Sequence, residues 1–467
     1  MKKITFILSV LITTSFFAQT PCTGGTAGSY PCNNYNLMSH ISLGEMGAFG
    51  GNDSWGWTDP DDGSEYAIMG LDNGTAFIDI SDPVNPIYLG KLPTHTSSSI
   101  WRDIKVYSNY AFIVSEASGH GLQVFDLTRL RNVTSPPETF TEDAHLGVFG
   151  SAHNIAMNED SGYAYVIGAN QANGGPLFID LTNPSNPFMI GSYAGSGYTH
   201  DAQIITYNGP DTDYTGKEIF FGSNENEVVI VDVTDKFNPQ FISNITYANT
   251  AYTHQGWLTE DRNYFIVGDE IDENNFGFNT RTIIFDVSDL DNPSFYFNYF
   301  GNIPSTDHNG YVVGNTFYLA NYSGGMRAID ISDIANQNMN EIGYFDTFPA
   351  NNNAGYDATW SVYPYFASKN IVISGEEGFT VVRDANLGYD DKEASSFSIF
   401  PNPAKENITI TSKTPIQKIE IFNVVGQKLL SLDLTQDITQ TINTTSLQSG
   451  VYLLTINESL SQRFVIN

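Results

Sequence analysis

One phrase recurs through the middle of the chain and restricts the fold more than any other feature. It consists of an apolar run, an aspartate, a turn of Ser, Thr, Asp or Asn, and in most copies an Asn-Pro pair, as in FIDISDPVNP at 77–86. Successive copies place their aspartates 44 to 54 residues apart, at Asp79, Asp126, Asp180, Asp232, Asp286, Asp330 and Asp384. A supersecondary unit repeated at this period therefore organises the chain.

Each copy lies between apolar segments that have the length and composition of strands. YAIMG at 66–70 precedes the first copy, and IYLG at 87–90 follows it. Four short strands per repeat of this length are typical of a propeller blade. Seven copies predict an all-β fold with a seven-bladed β-propeller over residues 35–388. The aspartate of each copy is expected to hold the turn between the third and fourth strands through side-chain-to-backbone hydrogen bonds.

The last copy lacks a convincing fourth strand before the repeat stops near Asp390. A strand-like stretch from Tyr35 to Leu43 precedes the first blade and belongs to no copy of the repeat. Closing a ring removes the open edges that a β-sheet otherwise exposes. We therefore expect this N-terminal stretch to complete the last blade.

The N-terminus has the pattern of a secretory signal peptide over residues 1–18. Lys2 and Lys3 precede a mostly apolar run, and small residues before Gln19 provide a cleavage site. Residues 19–34 then contain the only two cysteines, Cys22 and Cys32. In an exported protein two neighbouring cysteines are expected to form a disulfide, which here would fasten the N-terminal segment.

The C-terminal residues form a different pattern. After a linker at 389–396, short alternating strands separated by turns predict a small Ig-like β-sandwich over 397–467. The phrases PNPA at 401–404, VVGQK at 424–428 and LQSGVYLL at 447–454 closely resemble the type A C-terminal sorting domain of the bacterial type IX secretion system. The resemblance implies that this domain is an export signal and that the type IX machinery is its partner.

The charge of the chain excludes some classes of partner. It has 20 Lys and Arg against 52 Asp and Glu, which gives a net charge of −32. Such a surface repels phosphate backbones and anionic lipid, so neither nucleic acid nor a membrane surface is an expected partner. Cations, neutral glycans and peptides remain open. No apolar stretch is long enough to span a bilayer, and we expect a monomer that is secreted or at the outer cell surface.

Histidines recur at the start of the innermost strand in four consecutive blades. They are His153, His200, His254 and His308. Because this strand lines the central channel, the four imidazoles should gather at one channel end, beside Asp269 and Glu270. Imidazole and carboxylate are ligands for a divalent transition metal, which makes these six residues a candidate metal site. The alternative is that each histidine only forms hydrogen bonds within or between blades.

Other polar and aromatic residues are expected at the same channel mouth as candidates for ligand binding. They are Trp57, Trp101, Arg102, Asp103, Glu116, Asp201, Gln255, Asn309, Trp360 and Glu376. The acidic segment 269–274 lacks the spacing and the central glycine of a calcium-binding hand loop. It is predicted to be a solvated loop, with weak calcium binding as the alternative.

Long phrases between Pro31 and Arg383 resemble the choice-of-anchor B family of LVIVD-repeat proteins. Among them are NDSWGWTDP at 52–60, AHNIAMNEDSGYAYVIG at 152–168 and YTHQGWLTEDRNYFIVGDEIDE at 252–273. The resemblance implies a secreted or surface-anchored propeller, with the sorting domain as the anchor, and it does not imply a reaction.

The function that these patterns favour is binding of a ligand, such as a glycan or peptide, or of a metal ion on the histidine-rich face. One alternative is a metal-dependent extracellular hydrolase with Glu116 or Glu270 as the base, so enzymatic activity stays open. Another is a structural surface scaffold. The sequence has no GxSxG nucleophile elbow and no phosphate-binding glycine loop that opens a helix.

Overall fold

The structure is a computed structural model that describes residues 19–386, 397–400, 404–405, 407–423, 427–448, 450–457 and 460–466. The predicted signal peptide at 1–18 and the predicted linker at 389–396 lie outside the described residues. The chain divides into two compact units, Met1–Arg383 and Asp384–Asn467, and each is described by itself.

The first unit is built from seven antiparallel sheets that follow one another along the chain. The first three contain Gly51–Thr58, Glu65–Leu71, Gly74–Asp79 and Ile87–Pro93; Arg102–Tyr107, Tyr110–Ser115, Leu122–Asp126 and Ala144–Leu146; and Asn154–Asn158, Tyr163–Ile167, Leu177–Asp180 and Phe188–Ser192. The next two contain Asp201–Thr206, Glu218–Ser223, Val228–Asp232 and Gln240–Ile245; and Thr253–Leu258, Tyr264–Asp269, Arg281–Asp286 and Ser294–Phe300.

The last two sheets recruit strands from the N-terminus. The sixth contains Gly310–Val313, Thr316–Ala320, Met326–Asp333 and Asn338–Phe345, extended by Tyr30–Asn33 and Thr26–Ala27, and the seventh contains Thr359–Tyr363, Asn370–Gly375, Gly378–Asp384 and Tyr35–Ile41. The predicted closure of the last sheet by the stretch after Tyr35 is therefore confirmed. A further short strand, Glu138–Thr139, pairs in parallel with the outer strand of the first sheet.

The seven sheets close into a ring. The first strand of each sheet contacts the first strand of the next, and that of the seventh contacts Gly51–Thr58 of the first. The all-β propeller architecture predicted from the repeat is confirmed. Helical segments are few and short among the described residues: Asp272–Phe276 is α-helical, and Leu127–Asn132, Ala172–Gly174, Thr212–Tyr214 and Ile334–Asn336 are 3₁₀ turns.

Alternation along the strands forms the cores between neighbouring sheets. Ala67 and Met69 of the first sheet pack against Val381 of the seventh. Ile68, which lies between them in the sequence, packs on the opposite side against Ile104 of the second sheet. Successive side chains of a strand point to opposite faces, so an almost wholly apolar strand fills two inter-sheet cores at once.

The repeated aspartate has the predicted structural role. Asp79 Oδ1 accepts a hydrogen bond from the backbone N–H of Ser81 at 2.9 Å, two residues further on. The same bond forms in all six later copies, where the backbone N–H two residues further on donates to Asp126, Asp180, Asp232, Asp286, Asp330 or Asp384. These carboxylates fix the turn that leads to the outer strand.

The N-terminal segment is tied to the ring by covalent and backbone bonds. Cys22 and Cys32 form a disulfide across a sequence separation of 10. Cys32 pairs with Phe345 at the edge of the sixth sheet, and Thr20 exchanges backbone hydrogen bonds with Leu37 of the seventh. The disulfide thus lies where the chain passes from one sheet to the next.

The second unit is a sheet with a core of its own. Its strands are Phe397–Phe400, Asn407–Asn423, Lys428–Asn443, Gly450–Ile456 and Leu460–Ile466. Register shifts interrupt the pairing of the two long strands, and Ile408, Ile419, Leu454 and Phe464 are among the side chains of its core.

Candidate functional site

The four predicted histidines lie side by side at one end of the channel. Their ring centroids are 4.2 Å apart from His153 to His200, from His200 to His254 and from His254 to His308. The ring of Trp360 continues the row, 5.0 Å from that of His308. The four histidines, up to 155 positions apart in the sequence, therefore form one continuous row of rings, which we call the histidine row.

Backbone pairing explains why these side chains share one level of the channel. The backbone N–H of His153, His200 and His308 each donates to a carbonyl of the neighbouring strand in its own sheet, at 2.8 to 3.1 Å. His254 lies at a β-bulge between Thr253 and Gln255. A bulge redirects one side chain relative to the strand pairing, and here it keeps His254 in the row.

The Nδ1 atoms of three histidines are held by oxygen acceptors. His153 Nδ1 lies 2.6 Å from Glu116 Oε1, and His200 Nδ1 lies 3.0 Å from the carbonyl oxygen of His254. His308 Nδ1 lies 2.5 Å from the carbonyl oxygen of Trp360. A carbonyl can only accept, so His200 and His308 donate from Nδ1 and keep a lone pair on Nε2. This is the tautomer that binds metal through Nε2.

Glu270 lies between the last two histidines of the row. Its Oε2 is 3.7 Å from His254 Nε2, and its Oε1 is 3.8 Å from His308 Nε2. The Tyr322 hydroxyl donates to Oε1 at 2.6 Å. The candidate ligand atoms of His254, Glu270 and His308 lie within 4.8 Å of one another. We call His254, Glu270 and His308 the histidine–glutamate cluster.

Burial determines the charge state of this cluster. Desolvation lowers the pKa of His308 to about 3 and holds the pKa values of His200 and His254 well below the usual range of histidine. Burial raises the pKa of Glu270. In the described part of the chain no Lys or Arg forms an ion pair with Glu270. At neutral pH the imidazoles of the cluster are therefore neutral, and the partly buried carboxyl group of Glu270 has no cationic partner among the described residues.

The channel below the histidine row is narrow. A cavity of about 20 Å³ is bounded by the four imidazoles and by Asp53, Trp101, Arg102, Asp103, Asn154, Asn309 and Trp360. This volume suffices for a water molecule or a small ion. It is far below the 300–1,000 Å³ that small-molecule sites usually have.

Several predicted residues line the same channel end but have structural partners. Trp101 is 42% exposed at the mouth. Arg102 is buried and donates to His120 Nε2 at 2.9 Å and to the carbonyl of Leu71 at 3.1 Å. Glu116 holds His153, as described above. Glu376 lies on the loop after Asn370–Gly375 and is not part of the histidine–glutamate cluster.

One layer further down, polar side chains tie neighbouring sheets together. Asp103 accepts from Lys105 Nζ at 2.7 Å and from the backbone N–H of Ile155 at 2.8 Å. Gln255 bonds both backbone groups of Gly310 across the inter-sheet gap. Burial raises the pKa of Asp201 to about 7.

The same layer contains Asp53, which no pattern in the sequence singles out. Its carboxylate lies 3.3 Å from Asn309 Nδ2, and a register shift between Gly51 and Ser54 places it in the channel. Nothing in the sequence phrase marks that bulge.

Two of the expectations for site residues need correction. Trp57 was expected at the histidine-rich mouth, but it is 3% exposed and packs on the ring of Tyr66 in the core between the first two sheets. Asp269 was expected as a metal ligand, but its carboxylate accepts from the backbone N–H groups of Ala251 and Tyr252 and from the Tyr247 hydroxyl. Asp269 therefore stabilises a loop.

A larger cavity lies at the opposite ends of the innermost strands and was not expected. It has a volume of about 590 Å³. Its lining includes Trp55, Trp257, Tyr311, Tyr363 and Tyr365 together with Lys105, Glu159, Glu260 and Arg262. We call it the aromatic cup. The recurrent aromatic residue three positions after the histidine, as in Trp257 and Tyr311, was the available signal in the sequence.

Family models match two parts of the chain. The LVIVD repeat matches residues 65–94, 101–140 and 149–195. The secretion system C-terminal sorting domain matches residues 398–467. No protein of curated function gives a significant match in sequence.

Fold and repeat together define the class: a β-propeller that contains LVIVD repeats. With the sorting domain, the chain is a secreted or cell-surface propeller that contains LVIVD repeats. Among the described residues, no helix has the length and apolar character needed to cross a membrane.

Several solved structures match this chain at low sequence identity. PorZ of Porphyromonas gingivalis, described as an essential surface component of the type IX secretion system, has 13% identity and a TM-score of 0.46 over 87% of this chain; the chain spans 58% of that structure. The Cps50 (Swd1) propeller domain of Myceliophteria thermophila has 11% identity and a TM-score of 0.48, with 74% and 98% covered. A protein from Lactobacillus plantarum has 10% identity and a TM-score of 0.46, with 84% and 98% covered. None of these likenesses bears on function.

Proposed function

We propose that this exported propeller is a binding protein that holds a divalent transition metal at the histidine–glutamate cluster. The observation that carries the proposal is the placement of the two Glu270 oxygens 3.7 and 3.8 Å from the Nε2 atoms of His254 and His308. Tetrahedral zinc with bonds of 2.0–2.1 Å holds its ligand atoms roughly 3.3 Å apart. Each of the two nitrogen–oxygen distances exceeds that spacing by about 0.5 Å or less, and the ligand atoms of all three residues lie within 4.8 Å of one another.

The charges and tautomers of the cluster support the same function. The His308 imidazole is held by the Trp360 carbonyl with its Nε2 lone pair toward Glu270, and such an outer hydrogen bond orients metal-ligating histidines. A divalent ion would also give Glu270 the cationic partner that it lacks among the described residues. Three protein ligands leave a fourth position for water or for a group of an extracellular ligand.

Elemental analysis of the purified full chain, freed of any affinity tag and loaded with zinc, tests this proposal. We expect about one zinc per chain, and at least tenfold weaker binding in both His308→Ala and Glu270→Gln. His145→Ala is the matched control, because His145 stacks on His95 with ring centroids 3.6 Å apart, outside the cluster. Absence of zinc in the wild type, or equal loss in the control, would contradict the proposal and favour the scaffold alternative.

The aromatic cup favours a second binding function at the other end of the channel. Its volume of about 590 Å³ lies within the range of small-molecule sites. Both basic and acidic side chains line it, which favours a ligand without strong net charge. Indole and phenol rings with adjacent polar groups suit the apolar faces and hydroxyls of a neutral glycan.

Titration of tryptophan fluorescence with a panel of neutral trisaccharides tests the cup. We expect a saturable change with one of them, which Trp257→Ala removes and Trp101→Ala at the opposite mouth retains. If no trisaccharide changes the fluorescence, or if both variants behave alike, the cup does not bind glycans.

A further inference from the structure

A buried acidic cluster lies in the loops of the fifth and sixth sheets. Asp272 and Glu273 begin the short helix Asp272–Phe276, and Asp307 precedes the sixth innermost strand. Their exposed fractions are 0%, 2% and 0%. The sequence predicted a solvated loop at 269–274, whereas Asp269, Asp272 and Glu273 are buried and only Asn274 is exposed. We call Asp272, Glu273 and Asp307 the buried carboxylate cluster.

Among the described residues, one basic side chain, Arg281, forms an ion pair with this cluster, and its donors are already used in hydrogen bonds. Arg281 is 2% exposed at its side chain, and its Nε donates to Asp272 Oδ2 at 2.5 Å. Its backbone N–H donates to Glu273 Oε1 at 2.8 Å. Its remaining guanidinium nitrogens donate to the carbonyls of Ala248 and Asn249, at 3.0 and 2.9 Å.

Four carboxylate oxygens of the cluster have no hydrogen-bond partner. They are Asp272 Oδ1, Glu273 Oε2, and both Oδ1 and Oδ2 of Asp307. Across the described part of the chain, no other residue has a buried carboxylate oxygen in this state. By contrast, the buried Asp103 and Asp269 carboxylates accept hydrogen bonds from backbone N–H groups. A buried unpaired carboxylate costs several kcal/mol, so an arrangement with four bare oxygens needs a partner.

We propose that the buried carboxylate cluster is a structural site for one calcium-like divalent cation. Arg281 is shared with Asp269, 3.8 Å away, so its single positive charge is divided between this cluster and another carboxylate, and a divalent cation supplies the positive charge that the cluster needs. An all-oxygen ligand set selects a hard cation, and carboxylates with neighbouring carbonyls are the usual donors for calcium. This site is separate from the histidine–glutamate cluster, whose nitrogen ligands select a transition metal.

The bound cation would fix the loop that presents Glu270. Glu270 is two residues before Asp272, and His308 directly follows Asp307. A cation that joins Asp272 to Asp307 would therefore link the two segments that supply both kinds of ligand to the histidine–glutamate cluster. The proposal does not depend on metal binding by that cluster.

The test measures calcium content and thermal stability of the full chain. Purified wild-type protein is stripped with EDTA and returned to buffer with calcium or without it. We expect about one calcium per chain, and a melting temperature at least about 3 °C higher with 1 mM calcium. Asp307→Asn is expected to lose both the bound calcium and the calcium-dependent shift.

Two controls separate this site from other metal binding. Asp289→Asn removes one carboxylate from the exposed Asp211, Asp289 and Asp291 group and should leave both readouts unchanged. His254→Ala should lose zinc and retain the calcium response. Wild-type protein that contains no calcium and shows no shift overturns the proposal, as does an Asp307→Asn variant that still binds calcium. Glu273→Gln replaces Asp307→Asn if that variant does not fold.

Discussion

Buried neutral histidines are the most consequential single side chains in the propeller. His120 is fully buried, with Arg102 Nη1 2.9 Å from its Nε2 and the Gly121 carbonyl 2.9 Å from its Nδ1. Burial, followed by the charge of Arg102, lowers its pKa to about 4. In the unfolded chain the pKa of a histidine is about 6.5.

This difference in pKa predicts acid destabilisation. Between pH 6.5 and pH 4 the unfolded chain binds a proton at His120 that the folded chain excludes, so stability is full above pH 6.5 and falls as the pH drops. His120→Gln should remove about 2 kcal/mol of the stability difference between pH 7 and pH 5. Urea unfolding in EDTA at the two pH values measures it, with the partly exposed His95→Gln as the control. An unchanged pH difference in His120→Gln would contradict the prediction.

At the level of single residues, the sequence indicated the side chains that recur at the same position in each repeat copy. It did not indicate those that a register shift or a contact with a distant segment places. The aspartates of the turns and the four histidines recur at fixed positions, so their placement could be inferred. Asp53 could not, because a register shift in Gly51–Thr58 moves it into the channel. For the same reason Trp57 was assigned to the wrong end of that strand. The burial of Asp272 and Glu273 depends on contacts with Arg281 and Asp307, which no local pattern encodes.

Ring closure depends on a strand that is remote in sequence. Tyr35–Ile41 supplies the outer strand of the seventh sheet, and the repeat predicted this because one copy lacked a strand. The two short strands that precede it, Thr26–Ala27 and Tyr30–Asn33, extend the sixth sheet and were not predicted. Segments of two to four residues have too few side chains to show a periodic pattern.

The disulfide should stabilise this closure. Cys22 and Cys32 enclose a loop whose sequence separation is 10, and a cross-link of that length contributes about 3 kcal/mol in the chain-entropy description. The free energy of unfolding of the double variant Cys22→Ser, Cys32→Ser should therefore be lower by up to this amount. Urea denaturation measures the difference. Hydrogen exchange should increase first at residues 19–41. Equal exchange in this segment with and without the disulfide would show that it does not secure the closure.

The whole molecule combines an export signal with a propeller whose channel differs at its two ends. The cavity below the histidine row has about 20 Å³ and the aromatic cup about 590 Å³. One end thus fits an ion and the other a small molecule. The sequence indicated the channel end that carries the histidine row, because histidine is a rare residue and recurs there at one position of the repeat. It gave little sign of the aromatic cup, because aromatic residues at the other channel end resemble the core residues of any β-sheet.

The sorting domain predicts how the chain leaves the cell. A variant that ends after residue 396 keeps the propeller but lacks the matched segment 398–467. In a host with a type IX system we expect it to accumulate inside the cell envelope, while the full chain appears outside. Immunoblots of medium, surface and periplasmic fractions measure this. Equal secretion of both forms would show that another signal directs export.

Crystals of the full chain equilibrated with zinc, and measured on both sides of the zinc absorption edge, show directly whether the channel end holds a metal. We expect one strong anomalous peak about 2.0–2.1 Å from His254 Nε2, His308 Nε2 and a carboxylate oxygen of Glu270. No peak at this position, with Glu270 bonded to Tyr322 alone, would contradict metal binding as the function of the histidine row.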